Sequence, residues 1–454
     1  MPLTLESTVI SLRITRRAAD RLREGHLWVY RSDLLASADE PPPGALATVL
    51  DNRGAPLGTA LYSSASLIAA RMVSPTAGLD REGYLTELRA RVNAALALRR
   101  ELAPNTAEND AHRLIFSEAD NLPGIVADRY NDLVILQLLT QATAQDDVRD
   151  TLVEAFHAGL ATQGESLTVW ERPDPRIREL EQLGPPREGP LFTTHDSVAP
   201  DGLSFRTAAE GVTEQRAASP LTTTFRLNGL RFAYDASAGQ KTGAFLDQRL
   251  NYAAAARWVA ASGRTGRALD VCTYQGGFAL HLAQVCDRVT GIDQSFTALE
   301  AADRNLALNP HLQAQTDWVE ADAFDLLRAL DDATRNPARS APNLPLATSP
   351  AFDAIVLDPP AFAKSKRAAE GALRGYKELN LRALRLLAPG GTLITCSCSH
   401  HVSLQDFTAA VTSAAADAGR RVQLLETRAA APDHPEILTL PETRYLKCLI
   451  CRVE

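Results

Sequence analysis

The sequence contains few cysteines and no long apolar segment. Its six cysteines all follow residue 270, and two of them form the run Cys396-Ser397-Cys398. A disulfide framework would be spread through a small secreted domain, so this distribution favours free thiols in a reducing cytoplasm. The first twelve residues lack a basic head followed by an apolar block, and no run reaches the roughly 18 apolar residues that a membrane-spanning helix needs. The sequence therefore predicts a cytoplasmic protein without a membrane anchor.

An excess of positive charge is also missing, because the formal net charge is -8. Nucleic-acid binding usually leaves a basic surface, and the charge of the whole chain does not indicate one. Two segments are nevertheless locally basic. Residues 13–31 contain six arginines against two acids, and residues 358–390 contain seven basic residues against three acids. A charge cluster is more often a solvated face than a binding site, so either segment alone is weak evidence.

The length and the hydrophobic pattern predict two or three domains. Short strand-like segments separated by turns occupy residues 1 to about 75, which predicts a small β-barrel-like module. A helical pattern over residues 80–104 is followed by alternating strands and a helix. From about residue 230, strands and helices alternate, which is typical of an α/β fold with a parallel sheet covered on both faces. We expect domains at 1–78, 79–205 and 206–454.

A cofactor site is predicted where the first strand of the C-terminal sheet ends. Asp270 ends this strand, and the turn Gly276-Gly277 precedes a helix, so the backbone can approach a ligand closely. Asp293 ends the second strand, where an acid can accept hydrogen bonds from a ribose, and Asp322 follows the third strand and can meet an adenine amino group. The glycine triplet of dinucleotide-binding folds is absent. Because an acidic loop repels phosphate, these residues favour the cationic cofactor S-adenosylmethionine.

Two further motifs at the same edge of the sheet indicate chemistry. Asp358 lies in Leu357-Asp-Pro-Pro-Ala-Phe362, where the prolines stiffen the turn after the fourth strand. Cys396 and Cys398 follow the fifth strand and would face the same side if the chain there is extended. Carbon 5 of a pyrimidine is a poor nucleophile until a thiolate adds at carbon 6, and Asp358 can assist that addition at ring nitrogen 3. A buried packing role is the alternative for either cysteine.

The remaining cysteines are interpreted as packing residues. Cys448 and Cys451 form a Cys-x-x-Cys pair in a strand-like segment, where positions three apart face opposite sides. No second pair completes a zinc site, so we expect no metal. Cys272 and Cys286 are also expected in the core.

These motifs together resemble the bacterial large-subunit ribosomal RNA cytosine-5 methyltransferases that carry an N-terminal PUA RNA-binding module, and the likeness covers most of the chain. Five segments carry it: residues 23–31 in the PUA-like part, 117–130 in a central α/β domain, 239–249 before the first strand of a Rossmann-like class I methyltransferase domain, and the motifs at 358–362 and 395–399. The resemblance implies S-adenosylmethionine as cofactor and large-subunit ribosomal RNA, naked or partly assembled, as partner. The sequence does not decide between a monomer and a homodimer.

The resemblance also implies roles for individual residues. Further cofactor contacts are expected from the segment before the first strand and from the strand-end loops: Lys241, Thr242, Phe245, Asp247, Arg249, Thr273, Gln275, Gln294 and Ala323. Cys398 is the first choice for the nucleophile, and Cys396 stays open because the Thr-Cys-Ser motif is doubled. The related enzymes carry another cysteine in the fourth-strand motif, where this sequence has Pro360 and Ala361. The thiol that helps product release is therefore elsewhere or absent, and Cys396 is a candidate.

Three other functions fit parts of this pattern. Methylation of a guanine or adenine nitrogen uses the same cofactor and a similar Asp-Pro-Pro motif, and it needs no cysteine nucleophile. A non-catalytic RNA-binding protein would keep the fold without the cofactor. A dinucleotide oxidoreductase is disfavoured by the missing glycine triplet.

Overall fold

The N-terminal region forms a five-stranded sheet. The computed structural model describes residues 10–36, 40–160, 166–194, 221–236, 243–336, 351–363 and 365–454. The sheet has the order β1-β3-β4-β5-β2, and helix α1 begins after Thr15, whose side chain accepts from the Ala18 amide. The elements are β1 Ser11–Arg13, α1 Arg16–Arg23, β2 Trp28–Tyr30, β3 Leu46–Leu50, β4 Pro56–Tyr62 and β5 Ile68–Ser74. Strand β5 was not predicted.

The central region is a second five-stranded sheet, with the order β10-β9-β8-β7-β6. Its two long helices, α2 and α3, share one core with the sheet because both turn an apolar stripe toward it. The elements are α2 Arg81–Leu102, β6 Ala111–Phe116, β7 Ile125–Tyr130, β8 Leu133–Leu138, α3 Asp146–Leu160, β9 Thr168–Glu171, α4 Pro175–Glu181 and β10 Phe192–Thr193. This confirms the alternation of helices and strands predicted here.

A β-hairpin connects the central sheet to the C-terminal part. Strands β11 Thr222–Leu227 and β12 Leu230–Asp235 pair in antiparallel fashion around Asn228 and Gly229. Both turn residues have positive φ, which suits the tight two-residue turn that joins twisted strands. Helix α5, Arg249–Ser262, then leads into the C-terminal sheet.

The C-terminal part is a seven-stranded sheet with the order β15-β14-β13-β16-β17-β19-β18. Strands β13 to β17 are parallel, and β19 pairs antiparallel with both β17 and β18. The elements are β13 Arg267–Val271, α6 Gly277–Leu282, β14 Arg288–Asp293, α7 Phe296–Ala307, β15 Gln315–Glu320, α8 Ala323–Arg335, β16 Phe352–Leu357, α9 Ala369–Leu386, β17 Leu387–Ser397, α10 Leu404–Ala418, β18 Val422–Arg428 and β19 Lys447–Val453. The predicted α/β class is confirmed.

Helices cover both faces of this sheet. One apolar core includes α5 and α6, and the other includes α8, α9 and α10. The polar composition of residues 331–350 predicts an insertion before the fourth strand of the sheet. Residues 331–335 are instead the last turns of α8, and buried Asp331 pairs there with Arg382 and Arg385. The rest of that insertion, residues 337–350, lies outside the described residues. Within the described ranges, no helix is long and apolar enough to cross a membrane.

Candidate active site

A cavity of about 1980 Å³ opens at the carboxyl edge of the parallel strands. The loops after five successive strands each contribute side chains to its wall, among them Thr273, Asp293, Asp322, Asp358 and Cys398. Ligands of open α/β sheets bind at this edge, because the strand-end loops converge there. The cavity exceeds the roughly 300–1,000 Å³ of an ordinary small-molecule pocket, so it has room for a cofactor and a second group.

The loop after β13 is held in an unusual backbone conformation. Cys272 and Tyr274 both have positive φ, which is uncommon for residues other than glycine. The Tyr274 amide donates to Asp293 at 2.9 Å, and the Thr273 hydroxyl donates to Asp270 at 2.6 Å. Such strain often occurs at functional sites, where the surrounding structure stabilises it. Thr273, Gln275 and Asp293, three of the predicted cofactor contacts, line the cavity.

The end of β15 brings a second carboxylate into the cavity. Asp322 caps helix α8, because its Oδ1 accepts from the amides of Phe324 and Asp325 at 2.8 and 3.0 Å. Its Oδ2 accepts from the amide group of Gln294, the residue after Asp293. Asp322, Gln294 and Ala323 all line the cavity, so the structure places these predicted residues together.

Gly276 and Gly277 were expected to let the backbone approach a ligand, but the structure gives each of them another local role. Gly276 has a φ of +86° and caps helix α6. A Cβ on Gly277 would lie 2.5 Å from Cζ of Tyr252, so the close approach there is to a protein side chain. Only Gly277 of this pair lines the cavity. The pair therefore shapes the loop as well as making room for a ligand.

Asp270 does not face the cavity, contrary to our expectation. Its side chain is fully buried, and Oδ2 accepts from the Thr273 hydroxyl and from the Ala279 amide at 2.9 Å. Burial raises the pKa of this carboxyl to about 7. Asp270 turns toward the first turn of α6 because free amides are available there. It therefore holds the loop, and its side chain does not line the cavity.

The segment before helix α5 divides between the cavity and the core. Phe245 and Asp247 line the cavity, as predicted. The Oδ1 of Asp247 is buried without a hydrogen-bond partner among the described residues, while Oδ2 accepts from the Tyr445 hydroxyl at 2.5 Å. Arg249 was expected at the cofactor, but it is buried away from the cavity and pairs with Asp433 at 3.0 Å. Lys241 and Thr242 lie outside the described residues.

Asp358 lies in the cavity wall directly after β16. The Gln248 side chain donates to its Oδ1 at 3.0 Å. Burial raises the pKa of the Asp358 carboxyl to about 8, and the nearby carboxylates of Asp247 and Asp270 add to this effect. A carboxyl with this pKa is largely protonated at neutral pH and can donate a hydrogen bond.

The two cysteines after β17 do not face the same side. Cys398 lines the cavity, and its Sγ lies 3.8 Å from the carbonyl oxygen of Pro359. Cys396 is fully buried in the core beside Cys448, and burial raises the pKa of its thiol. The expectation that both thiols reach the site is wrong, because β17 ends at Ser397 and Cys398 is no longer part of the strand.

The other cysteines largely follow the sequence interpretation. Cys448 and Cys451 are buried in the two different cores, so they face opposite sides of β19. Cys286 is buried as well. Cys272 departs from the prediction, because it lines the cavity, and burial together with nearby carboxylates raises the pKa of its thiol. In the described part of the chain, no group of three or more potential ligands could hold a metal ion.

Sequence reasoning missed an aromatic wall of the cavity. The rings of Tyr445, His400 and Phe116 are neighbours, with centroids 5.4 Å apart for Tyr445 and His400 and 6.3 Å apart for Tyr445 and Phe116. Trp28 of the N-terminal sheet lines the same cavity, and its indole N–H donates to Glu118 of the central region at 2.8 Å. No local motif links these residues, although Trp28 and Glu118 lie in the segments 23–31 and 117–130 that carry the family resemblance.

The basic segments are partly neutralised by neighbouring acids. In the first, Arg21 pairs with Asp33 and Arg23 pairs with Asp51, each at 2.6 Å, while the Arg16 side chain is 80% exposed. In the second, four basic residues of α9 form ion pairs with neighbouring carboxylates: Arg374, Lys377, Arg382 and Arg385. Because these basic side chains are paired with acids, the number of positive charges in the two segments does not by itself indicate a nucleic-acid-binding surface.

The cavity has the chemistry that S-adenosylmethionine requires. Carboxyl groups line it, among them those of Asp247, Asp293, Asp322 and Asp358, and the buried Oδ1 of Asp247 has no donor among the described residues. A cationic sulfonium and ammonium suit these carboxyl groups at the strand ends. Asp293 at the end of β14 is placed for ribose hydroxyls, and Phe324 and Phe245 offer apolar surface. The residues present therefore fit this cofactor.

Comparison with protein families gives two matches. Residues 12–75 match the PUA-like domain, and residues 177–450 match the S-adenosylmethionine-dependent methyltransferase family. The second match covers more than half of the 454 residues and includes every strand-end loop of the cavity. The matched residues include nearly all of the seven-stranded sheet described above.

Individual proteins are similar over nearly the whole chain. A ribosomal RNA large subunit methyltransferase of Deinococcus radiodurans is 34% identical, with 98% of each chain covered. A ribosomal RNA large subunit methyltransferase I of Shewanella amazonensis is 35% identical, with 94% of this chain and 95% of the relative covered. A solved S-adenosylmethionine-dependent methyltransferase structure from Streptococcus mutans shares the fold, with a TM-score of 0.70, 18% identity, and 98% of this chain and 100% of that chain covered.

Proposed function

The chain belongs to the S-adenosylmethionine-dependent family of ribosomal RNA large subunit methyltransferases, and we propose that it methylates carbon 5 of a cytosine in that RNA. S-adenosylmethionine is its cofactor. The observation that carries the choice of carbon 5 is the position of Cys398. Its thiol lines the cavity beside the Asp358-Pro359-Pro360 turn, while the neighbouring Cys396 is buried in the core.

Cys398 supplies the nucleophile that this reaction needs. Its thiolate adds to carbon 6 of the cytosine, the electron pair of the 5,6 double bond moves between carbons 4 and 5, and the pair of the 3,4 double bond moves onto nitrogen 3, so that carbon 5 becomes enamine-like. The addition divides one difficult step into two easier ones. A base-nitrogen methyltransferase needs no such thiol, so a cavity-facing cysteine favours carbon 5.

Asp358 completes the addition by providing a proton. Because the pKa of its carboxyl is raised to about 8, the side chain can donate to ring nitrogen 3 as the negative charge develops there. Gln248, which donates to the other side of this carboxyl, keeps its orientation. The thiolate and the carboxylic acid thus act on carbon 6 and nitrogen 3 of the same ring.

Bound S-adenosylmethionine supplies an electrophilic methyl group. Asp293, Asp322 and Asp247 would hold the cofactor at the strand ends, so that the methyl group it supplies would reach carbon 5 and S-adenosylhomocysteine would be the leaving group. Loss of the carbon 5 proton to solvent, departure of the Cys398 thiolate from carbon 6 and return of the nitrogen 3 proton to Asp358 restore the aromatic cytosine. Cys396 takes no part, because it does not reach the cavity.

The target base must leave its stack to reach Cys398, since the addition needs a free face of the ring. The cavity extends from the cofactor loops to Trp28 and Phe116, so an unstacked nucleotide and its neighbour fit along the aromatic wall. Aromatic side chains stack on bases without regard to sequence. We propose large-subunit ribosomal RNA as the substrate on this ground together with the family.

The test uses tritiated S-adenosylmethionine and ribosomal RNA from cells that lack this protein. Wild type, Cys398→Ala and the matched control Cys396→Ala are compared, and the labelled nucleoside is identified after digestion. We expect 5-methylcytosine at one site with wild type and Cys396→Ala, and a loss of at least about 10³-fold with Cys398→Ala.

Two results would contradict the proposal. Label in a purine, with Cys398→Ala still active, would replace it with methylation of a base nitrogen. Failure of wild type to bind S-adenosylmethionine, measured by calorimetry, would remove the enzymatic function altogether.

A further inference from the structure

A lysine is buried behind the loop that carries Cys398. Lys447 is the first residue of β19, pairs in register with Ser397 of β17 and is only 5% exposed. Its Nζ donates to the carbonyl oxygen of Ser399 at 2.7 Å and to that of Tyr445 at 2.8 Å. Lys447 thus contacts the chain on both sides of Cys398. Its backbone pairs with Ser397, and its ammonium binds the carbonyl of Ser399.

The ammonium of Lys447 has no carboxylate as a counter-ion among the described residues. A buried charge without an opposite charge is costly, and proteins usually pair it or neutralise it. Burial lowers the pKa of the Lys447 ammonium to about 8, while the charge of a Cys398 thiolate raises it. Cys398 is therefore the group that can balance this cation when it loses its proton.

Three other ionisable groups of the described residues lie near Cys398, and none of them provides a positive charge in this way. Tyr376, on helix α9, reaches the loop through the Ser399 hydroxyl at 2.9 Å and is neutral at physiological pH. Burial lowers the pKa of His400, whose Nδ1 contacts the carbonyl of Glu442 at 3.1 Å. Asp358 shares the cavity wall with Cys398, and an ionised carboxyl there would oppose a thiolate. Lys447 is the group among these that favours the thiolate.

We propose that Lys447 is a positioning residue whose buried ammonium stabilises the thiolate of Cys398 before RNA binds. The S–H bond of Cys398 breaks with both electrons left on sulfur, the proton passes to solvent, and Lys447 stays protonated. Lys447 approaches from behind the loop and does not line the cavity, so the opposite side of Cys398 stays available to the base. This inference rests on the proposed role of Cys398 as nucleophile.

The test measures the thiolate directly and needs no methyl transfer. The full chain is treated with iodoacetamide at a series of pH values, and the alkylation rate of the Cys398 peptide is followed by mass spectrometry. Wild type is compared with Lys447→Met, which keeps an unbranched apolar stem, and with the control Lys377→Met, whose lysine pairs with Asp417 on α9. The rate at the Cys272 peptide and binding of S-adenosylmethionine report whether the cavity is intact.

In wild type and Lys377→Met, we expect Cys398 to ionise below the ordinary thiol pKa of about 8.5. In Lys447→Met, the midpoint should rise by at least about one unit, so that alkylation at pH 7 falls about tenfold or more. Lys447→Arg, which keeps the charge, should restore part of the reactivity. A Lys447→Met profile equal to that of wild type, in protein that binds the cofactor, would overturn the inference.

If Lys447→Met does not fold, wild type alone decides: a Cys398 midpoint at or above about 8.5 contradicts the inference. Failure of the proposed function is a separate result. Methyltransferase activity that persists in Cys398→Ala removes the nucleophile, whereas the alkylation profile tests only the effect of Lys447 on the thiol.

Discussion

Arg249 and Asp433 form an ion pair of 3.0 Å that is closed to solvent, between the start of α5 and the loop that joins β18 to β19. Asp433 also accepts from the Arg113 amide at 2.9 Å, and its carbonyl accepts from Arg99 of α2. This one residue therefore connects the catalytic region to the central region. The same loop carries Tyr445 into the cavity wall.

Asp433→Asn should destabilise the protein by about 3–5 kcal/mol, because it leaves the buried Arg249 without its counter-charge. Thermal or urea unfolding measures this loss. The control is Glu436→Gln in the same loop, whose partner Arg444 is 59% exposed, and we expect a change below about 1 kcal/mol. Equal losses in the two variants would contradict the importance of the buried pair.

Wild type and Asp433→Asn should also differ in how their stability changes at acidic pH. Burial raises the pKa of Asp433, but His434 and Arg249 outweigh it and hold this pKa well below its usual range. A carboxyl with a depressed folded-state pKa stabilises the fold above the unfolded pKa of about 3.9, and the stabilisation is lost as the pH falls below it. The gap between wild type and Asp433→Asn should therefore narrow on acidification below about pH 4.

Gly277→Ala should disturb the cofactor loop through Tyr252. The new Cβ would lie 2.5 Å from the ring, and Tyr252 is only 6% exposed, so the ring cannot move freely. We expect a loss of about 1–3 kcal/mol in stability together with weaker binding of S-adenosylmethionine, measured by calorimetry. The control is Gly371→Ala in α9, where only the Arg374 side chain lies within 4 Å, at 3.8 Å, and stability should stay equal or rise by up to about 1 kcal/mol.

Asp358→Asn should change the pH dependence of stability in the absence of cofactor. A carboxyl whose folded-state pKa is raised stabilises the fold fully only below its unfolded pKa, and the contribution is lost as the pH rises to about 8. Wild type should therefore lose stability between about pH 4 and pH 8, by at most about 1.4 kcal/mol per pH unit. Asp358→Asn should have a smaller slope, of which the part due to buried Asp270 remains, whereas Asp325→Asn, at a side chain 78% exposed, should keep the whole slope. Parallel slopes in wild type and Asp358→Asn would contradict the raised pKa.

The same variant should also be a poor enzyme. If Asp358 acts as a proton donor, wild-type activity should decline above about pH 8, where the carboxyl ionises. Asp358→Asn should be about 10²-fold slower or worse and should lack this alkaline decline. Tritium incorporation across a pH series checks both points.

Trp28→Phe should weaken RNA binding without affecting the cofactor. The change removes the indole N–H that binds Glu118 and reduces the aromatic surface in the cavity. Base stacking is worth about 1–3 kcal/mol per base, so KM for RNA should rise about tenfold while Kd for S-adenosylmethionine stays unchanged. Trp258→Phe is the matched control, because that indole also donates to a glutamate but lies outside the cavity lining. Unchanged KM in Trp28→Phe would remove this wall from the RNA site.

The parallel part of the sheet and the residues at its strand ends could be predicted from the sequence. Asp293, Asp322, Asp358 and Cys398 meet at one cavity because parallel strands with helical crossovers place their carboxyl ends at one edge. This inference needs only the order of strands along the chain. It does not need the packing of any side chain.

Side-chain directions and contacts between distant segments could not be predicted. Asp270 and Arg249 have the residue types of a cofactor site, yet one binds the Ala279 amide and the other pairs with Asp433, 184 positions further on. Cys396 was placed with Cys398 because an extended chain was assumed, but the strand ends between them. Lys447 could not be assigned, since its place behind Cys398 depends on β19 lying between β17 and β18.

That strand order also has a consequence for synthesis of the protein on the ribosome. Residues 447–453, the last element of the chain described here, pair directly with the strand that leads to Cys398 and supply the lysine behind it. Until they emerge from the exit tunnel, β17 lacks one of its two neighbouring strands, and β18 lacks its only one, so these backbone edges stay unpaired. The nascent chain therefore cannot assemble the surroundings of Cys398 until translation has passed this strand.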